Sequence, residues 1–164
     1  MAKLVFVVGG KNMRIRDMRI EDYNEVDRLM AQVHKIHVEG RPDLYIDVEH
    51  IYSVNQFAEM VENEDMISVI AEKEERVVGI CFVSMRAKTC MVKRRTAYME
   101  DLCVDESHRG KGIGKELFKY ARNRAKEMGA ERLDLMVWDF NEDARMFYEK
   151  MGLTPQRYIY ETKL

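Results

Sequence analysis

The segment HRGKGIGKELF, residues 108–118, sets Gly110, Gly112 and Gly114 at alternate positions among basic residues, where an amphipathic helix begins. Glycine is a poor helix former, so a helix that opens this way gives up stability for something else. The first N–H groups of a helix have no internal partner, and the helix dipole makes that end positive. A phosphate can sit there if the backbone approaches without side-chain obstruction, and glycines remove the obstruction. From Arg109 to Lys126 seven basic residues stand against one acid, Glu116. Together these point to a polyphosphate site on Arg109, Gly110, Lys111, Gly112, Ile113, Gly114 and Lys115. A flexible turn with incidental basic residues is the competing reading.

Two familiar phosphate motifs fail on spacing. Counting back five from Gly114 lands on Arg109, and Glu116 stands where a P-loop needs a hydroxyl. Gly110–Gly112–Gly114 reads GxGxG, not the GxGxxG of a dinucleotide fold. What fits is R-x-x-G-x-G, as Arg109, Gly112 and Gly114. Two further stretches agree: YMEDLCV, residues 98–104, just before the glycines, and NEDARMFYEKMGL, residues 141–153, after them. On these three stretches the chain resembles the GNAT superfamily of acyl-CoA-dependent N-acetyltransferases, from about Met13 to the C-terminus and most closely over Ala97–Leu153.

The resemblance implies acetyl-CoA as co-substrate, no metal, and direct transfer of the acetyl group to a primary amine. It implies that the backbone N–H groups of Leu102, Cys103 and Val104 hold the acetyl carbonyl and pantetheine. Asn141, Tyr148 and Gly152 fall at matching positions, with Tyr148 beside the CoA sulfur. A phenol of pKa about 10 can protonate a departing thiolate as general acid; ordinary packing beside Ala144, Phe147 and Met151 is the other role open to it. Glu100 is the candidate general base. Strict alternation puts it on the strand face of Tyr98 and Leu102, with Asp101 on the other face with Met99. Substrate orientation or a salt bridge is the alternative role for Glu100.

Around this machinery the chain reads as one α/β (α+β) domain: a mixed, largely antiparallel central sheet flanked by helices, with a splayed strand pair at the cofactor site. A length of 164 residues fits a single core, and the apolar (46%) and charged (34%) fractions fit a globular protein. Residues 1–12 read as a leader or an extra strand and 13–164 as the acetyltransferase domain. Periodicity predicts strands near 13–18, 66–73, 76–88, 97–104 and 132–138, with 157–163 as a last strand. It predicts helices near 21–38, 56–63, 113–128 and 141–151. Three cysteines without a CxxC pair suit reduced thiols in the cytoplasm. The net charge of −2 argues against a nucleic-acid partner, and the apolar run Leu4–Val8 is too short to cross a membrane. A homodimer is compatible with this reading.

Other features carry less. His34 and His37 stand i, i+3 without a third ligand, so a surface or substrate-cleft pair is preferred to a metal. Cys103 could suggest an acyl-thiol intermediate, but direct transfer needs none, and a small buried side chain is preferred. The hairpin 88–95 holds four cations and no acid, read as a solvated loop. From Glu39 to Asp65 eight acids face one base, Arg41. That is either a solvated face or a rim that concentrates a cationic acceptor such as a polyamine, an aminoglycoside-like amine or a lysine-bearing peptide. Two other classes compete: a non-catalytic acyl-CoA-sensing module of the same fold, and a Rossmann-type nucleotide enzyme with Asp134 on the ribose.

Overall fold

The computed structural model describes the backbone of Phe6–Val8 and residues 13–87 and 95–164. Six strands form one sheet in chain order: β1 (Phe6–Val8), β2 (Met13–Asp17), β3 (Met66–Lys73), β4 (Arg76–Arg86), β5 (Thr96–Val104) and β6 (Arg132–Leu135). Neighbours run antiparallel from β1 to β5. The pair β5–β6 is parallel and therefore needs a crossover, which the helix α3 (Ile113–Glu127) supplies. The other helices are α1 (Tyr23–Gly40), α2 (Val54–Glu62) and α4 (Glu142–Lys150).

The strands β3 and β4 are apolar almost throughout because both sheet faces are covered. On one face Val69, Cys81, Val83 and Ala97 pack against Leu117, Phe118 and Ala121 of α3. On the other, Ile70, Ile80, Phe82 and Cys103 pack against Val26, Leu29 and Met30 of α1 and Phe57 of α2. Arg28 of α1 fixes that helix to the sheet, donating to Asp105 at 2.5 Å and to the Val77 carbonyl at 3.0 Å. Among the described residues no helix is long and apolar enough to cross a membrane.

Two expectations fail at the far edge. β6 stops at Leu135, short of Trp138, and residues 157–163 form no strand. Trp138 is drawn away from the sheet: its Nε1 donates to the Tyr45 hydroxyl at 3.1 Å, and Arg41 lies over its ring at 5.1 Å. The tail past Leu153 makes no backbone hydrogen bond among the described residues; its side-chain ties are Gln156 to Asp134 and Glu161 to Arg41. The cationic hairpin expected at 88–95 lies outside the described residues, apart from Arg95, which pairs with Asp65 at 2.6 Å.

Candidate active site

The glycine stretch forms a cradle of open backbone. Gly110 (φ 73°) and Gly112 (φ 84°) are left-handed, and a Cβ at either would meet no atom within 4 Å. Their backbone is therefore reserved for glycine by conformation, not by crowding inside the fold. Gly112 immediately precedes α3 and has no side chain to cap it, so the first N–H groups of that helix face outward. Ile113 is buried and anchors the turn, while Arg109, Lys111 and Lys115 are exposed around it. Arg109 Nε donates to the Val104 carbonyl at 3.1 Å, and Lys111 Nζ to the Ser107 carbonyl at 2.8 Å. Outward N–H groups, a helix dipole and three cations fit the phosphates of a nucleotide.

β5 leads directly into that cradle and parts from β6 on the way. Pairing with β6 ends at Met99–Leu135, so from Glu100 to Val104 that edge of β5 has no strand beside it among the described residues. Of the three expected donors, Leu102 and Val104 turn their N–H groups to that edge, whereas Cys103 turns its own to β4, in step with Asp105 N, which bonds the Val78 carbonyl.

The same stretch carries a β-bulge that corrects the expected alternation. Phe82 pairs with Asp101 and Val83 with Met99, leaving Glu100 as the extra residue. A bulge reverses the sides of whatever follows it. Ala97 and Met99 face α3, and so do Leu102 and Val104, whereas Asp101 and Cys103 face α1. Asp101 is thus on the opposite face from Met99, not the same one.

Glu100 is held in an ion pair with Arg86 at 2.5 Å and accepts from the Ser84 hydroxyl. Arg86 also stacks over the Tyr98 ring at 3.7 Å. Asp101 sits deeper. Burial and then the charge of Glu100 push its carboxyl up to about 6, and the Tyr52 hydroxyl, 3.5 Å away, offsets part of that. Tyr52 is raised in turn to about 12, by burial first and by Asp101 and Glu100 next. Sequence reasoning passed over Asp101 and Tyr52: the bulge leaves no compositional mark, and Tyr52 lies in a stretch without periodicity.

Tyr148 projects from α4 onto the other face of β5. Its hydroxyl meets Met99 Sδ at 3.9 Å, and its ring lies 6.2 Å from that of Phe118. Burial, with Cys81 and Asp101 adding, raises it well above an ordinary phenol. It keeps its proton at neutral pH. Asn141 caps α4, its Oδ1 accepting from Ala144 N at 3.1 Å, which leaves its amide group to donate elsewhere.

The Cys103 thiol is buried against the Leu29 carbonyl at 3.5 Å and raised to about 12, chiefly by burial. His34 bonds the Ile46 carbonyl at 2.8 Å and His37 stacks on Tyr45; no metal-binding cluster occurs among the described residues. Of the acidic segment, Asp43 is claimed by Arg41 at 2.8 Å. A groove of about 300 Å³ beside α2 is lined by Tyr52, Gln56, Glu59, Met60, Asn63 and Met66, so Tyr52 joins it to Asp101.

Comparison with known proteins agrees with this fold. A mutant of the BH1408 protein from Bacillus halodurans superposes with a TM-score of 0.86 at 32% identity, covering 92% of this chain and 98% of that one. An aminoglycoside acetyltransferase from a soil metagenome, 17% identical over 93% of this chain and 95% of its own, shares the fold at a TM-score of 0.73. In sequence, the L-ornithine N5-acetyltransferase NATA1 of Arabidopsis thaliana is 31% identical over 56% of this chain and 41% of its own length. The thialysine N-epsilon-acetyltransferase of Bos taurus is 37% identical over 37% of this chain and 35% of its own. Residues 30–153 match the acetyltransferase (GNAT) family. The chain belongs to that family and is an acyltransferase.

Proposed function

We propose that the protein transfers an acetyl group from acetyl-CoA to a primary amine that carries a second positive charge. One observation carries the reading: Asp101 and Tyr148 lie on opposite faces of β5 where it parts from β6 and runs into the glycine cradle. The open backbone of Arg109–Lys115 would hold the CoA diphosphate, with the amide of Asn141 as a further donor. Bound acetyl-CoA supplies the thioester; the remaining steps are the chain's own.

Asp101, ionised above about pH 6, takes the ammonium proton so that a neutral nitrogen attacks the carbonyl carbon. The N–H groups of Leu102 and Val104, on the edge of β5 away from β4, stabilise the developing oxyanion, an effect of ~3 kcal/mol per donor. The C–N bond forms, the attacking nitrogen gives up its second proton to solvent, the C–S bond breaks, and the Tyr148 hydroxyl gives its proton to the departing sulfur and regains one from solvent. Asp101 replaces Glu100 as the proposed base, because the ion pair with Arg86 engages Glu100. Cys103, protonated and buried, stays out of the reaction. The groove beside α2, with Glu59 on its rim, supports a cationic acceptor. L-Ornithine and thialysine, the acceptors that the two relatives are named for, each carry a second amine. The reading extends to a homodimer and to the cytoplasm, the second of which the free thiols Cys81 and Cys103 support.

A thermal-shift comparison tests cofactor choice: acetyl-CoA should raise the Tm and NAD should not. A panel of amines assayed for free-thiol release then tests transfer. A binding module without catalysis would show the shift and no release.

A further inference from the structure

We infer that Arg86 and Glu100 together clamp the head group of a free amino acid, Arg86 taking its carboxylate, so that the nitrogen acetylated is a side-chain amine and the acceptor is not a polyamine. The inference rests on the acetyl-transfer reading and sharpens it by naming the acceptor's second end.

The pair stands beside the proposed base. Val83 and Met85 of β4 face α3, so Ser84 and Arg86, which alternate with them, face α1 and α2. Glu100 joins them there, accepting from Arg86 at 2.5 Å and from the Ser84 hydroxyl. Asp101 follows on the same face, where it meets Tyr52, and is less exposed than Glu100. Met66, in the wall of the groove beside α2, is the partner of Ser84 on β3. Groove, ion pair and base are therefore neighbours on one face of the sheet.

The Arg86 guanidinium is held in place without being used up. It lies 3.7 Å from the centre of the Tyr98 ring, and Nε donates to the Ser84 hydroxyl at 3.0 Å. With the bond from Nη2 to Glu100, this occupies one edge of the fork. The other edge, Nη1 with the second hydrogen of Nη2, has no partner among the described residues, and the side chain is 46% exposed. An arginine fixed this way is ready to take a carboxylate through two parallel bonds.

The surrounding charges select the ligand. Groove and cluster together hold Glu59, Glu100 and Asp101, with Arg86 as their one base. A polyamine would set an ammonium against Arg86. An amino-acid head group is instead the complement of the pair: its carboxylate meets Arg86, and its α-ammonium meets Glu100, whose Oε2 has no partner among the described residues. Held by that end, the acceptor runs its side chain inward and brings the terminal amine to Asp101.

Acceptors matched except for the carboxylate test this: L-lysine against cadaverine, and L-ornithine against putrescine. The wild type should favour each amino acid at least tenfold in kcat/KM, and mass spectrometry should place the new amide on the side-chain nitrogen. Lysine methyl ester, which keeps both amines, should fall to the level of cadaverine, a measurement that needs no variant. Arg86→Gln should lower kcat/KM for lysine at least tenfold relative to cadaverine, chiefly through KM, and Arg86→Lys should recover only part of it. Calorimetry with CoA bound should show lysine binding the wild type at least tenfold more tightly than Arg86→Gln. Equal use of amino acid and diamine, acetylation of the α-nitrogen, or an unaltered preference in Arg86→Gln would overturn the inference and leave acetyl transfer standing. Failure of the wild type to bind either amino acid would overturn it too. Lysine bound through Arg86 without any thiol release would uphold the clamp and remove the acetyl-transfer reading.

Discussion

At Asp101 a carboxylate buried beside Glu100 holds its proton until about pH 6, against an ordinary value of 3.8. The folded state therefore binds more protons than the unfolded chain between those values. Stability falls as pH rises through that window, and up to about 3 kcal/mol is gone above it. Asp101→Asn should thus raise the Tm at pH 7.5 while lowering turnover by ~10²–10⁴-fold; a purely structural aspartate would lose stability instead. Tyr148→Phe should cut turnover at least tenfold with acetyl-CoA affinity unchanged, measured by calorimetry beside the rate. Of these two residues, Tyr148 is legible in the sequence from its place in NEDARMFYEKMGL. Asp101 is not, because one unpaired residue at Glu100 exchanges the faces of everything after it.

Among the elements, the cradle is the part most exposed to a single change. At Gly112 the backbone is left-handed (φ 84°) with open space around it, so Gly112→Val meets torsional strain and not a clash. The turn should rotate, its N–H groups should lose their aim, and acetyl-CoA affinity should fall at least a hundredfold, checked by calorimetry. The fold should persist, because the helix is anchored by Ile113, Leu117 and Phe118 behind the turn. This helix was readable because its apolar residues repeat at three and four and glycines bracket it. β3 and β4 were readable because they are long and almost wholly apolar. β6 beyond Leu135 and the tail were misread, since local propensity predicts an extended chain without saying whether a partner strand is present.

For the whole molecule, charge separates into a basic cradle around Arg109–Lys115 and acids toward 39–65. Asp43 is spent on Arg41, so the acids left to attract an acceptor are better sought around the α2 groove. Replacing Glu59 and Glu62 with Gln should raise the KM of a diamine several-fold and flatten its salt dependence, since the attraction acts within the ~8–10 Å screening length. The KM of acetyl-CoA, itself an anion, should stay level or fall.

The central claim is direct acetyl transfer with Asp101 as base, and free-thiol release measured against pH with acetyl-CoA and a diamine tests it most directly. The account predicts amine-dependent release in the wild type, climbing through an apparent pKa near 6 and reaching a plateau. It also predicts that Asp101→Asn, folded and binding acetyl-CoA normally, is slow at every pH and lacks that rise. Release without any amine dependence, or an Asp101→Asn profile that overlays the wild type, would contradict it.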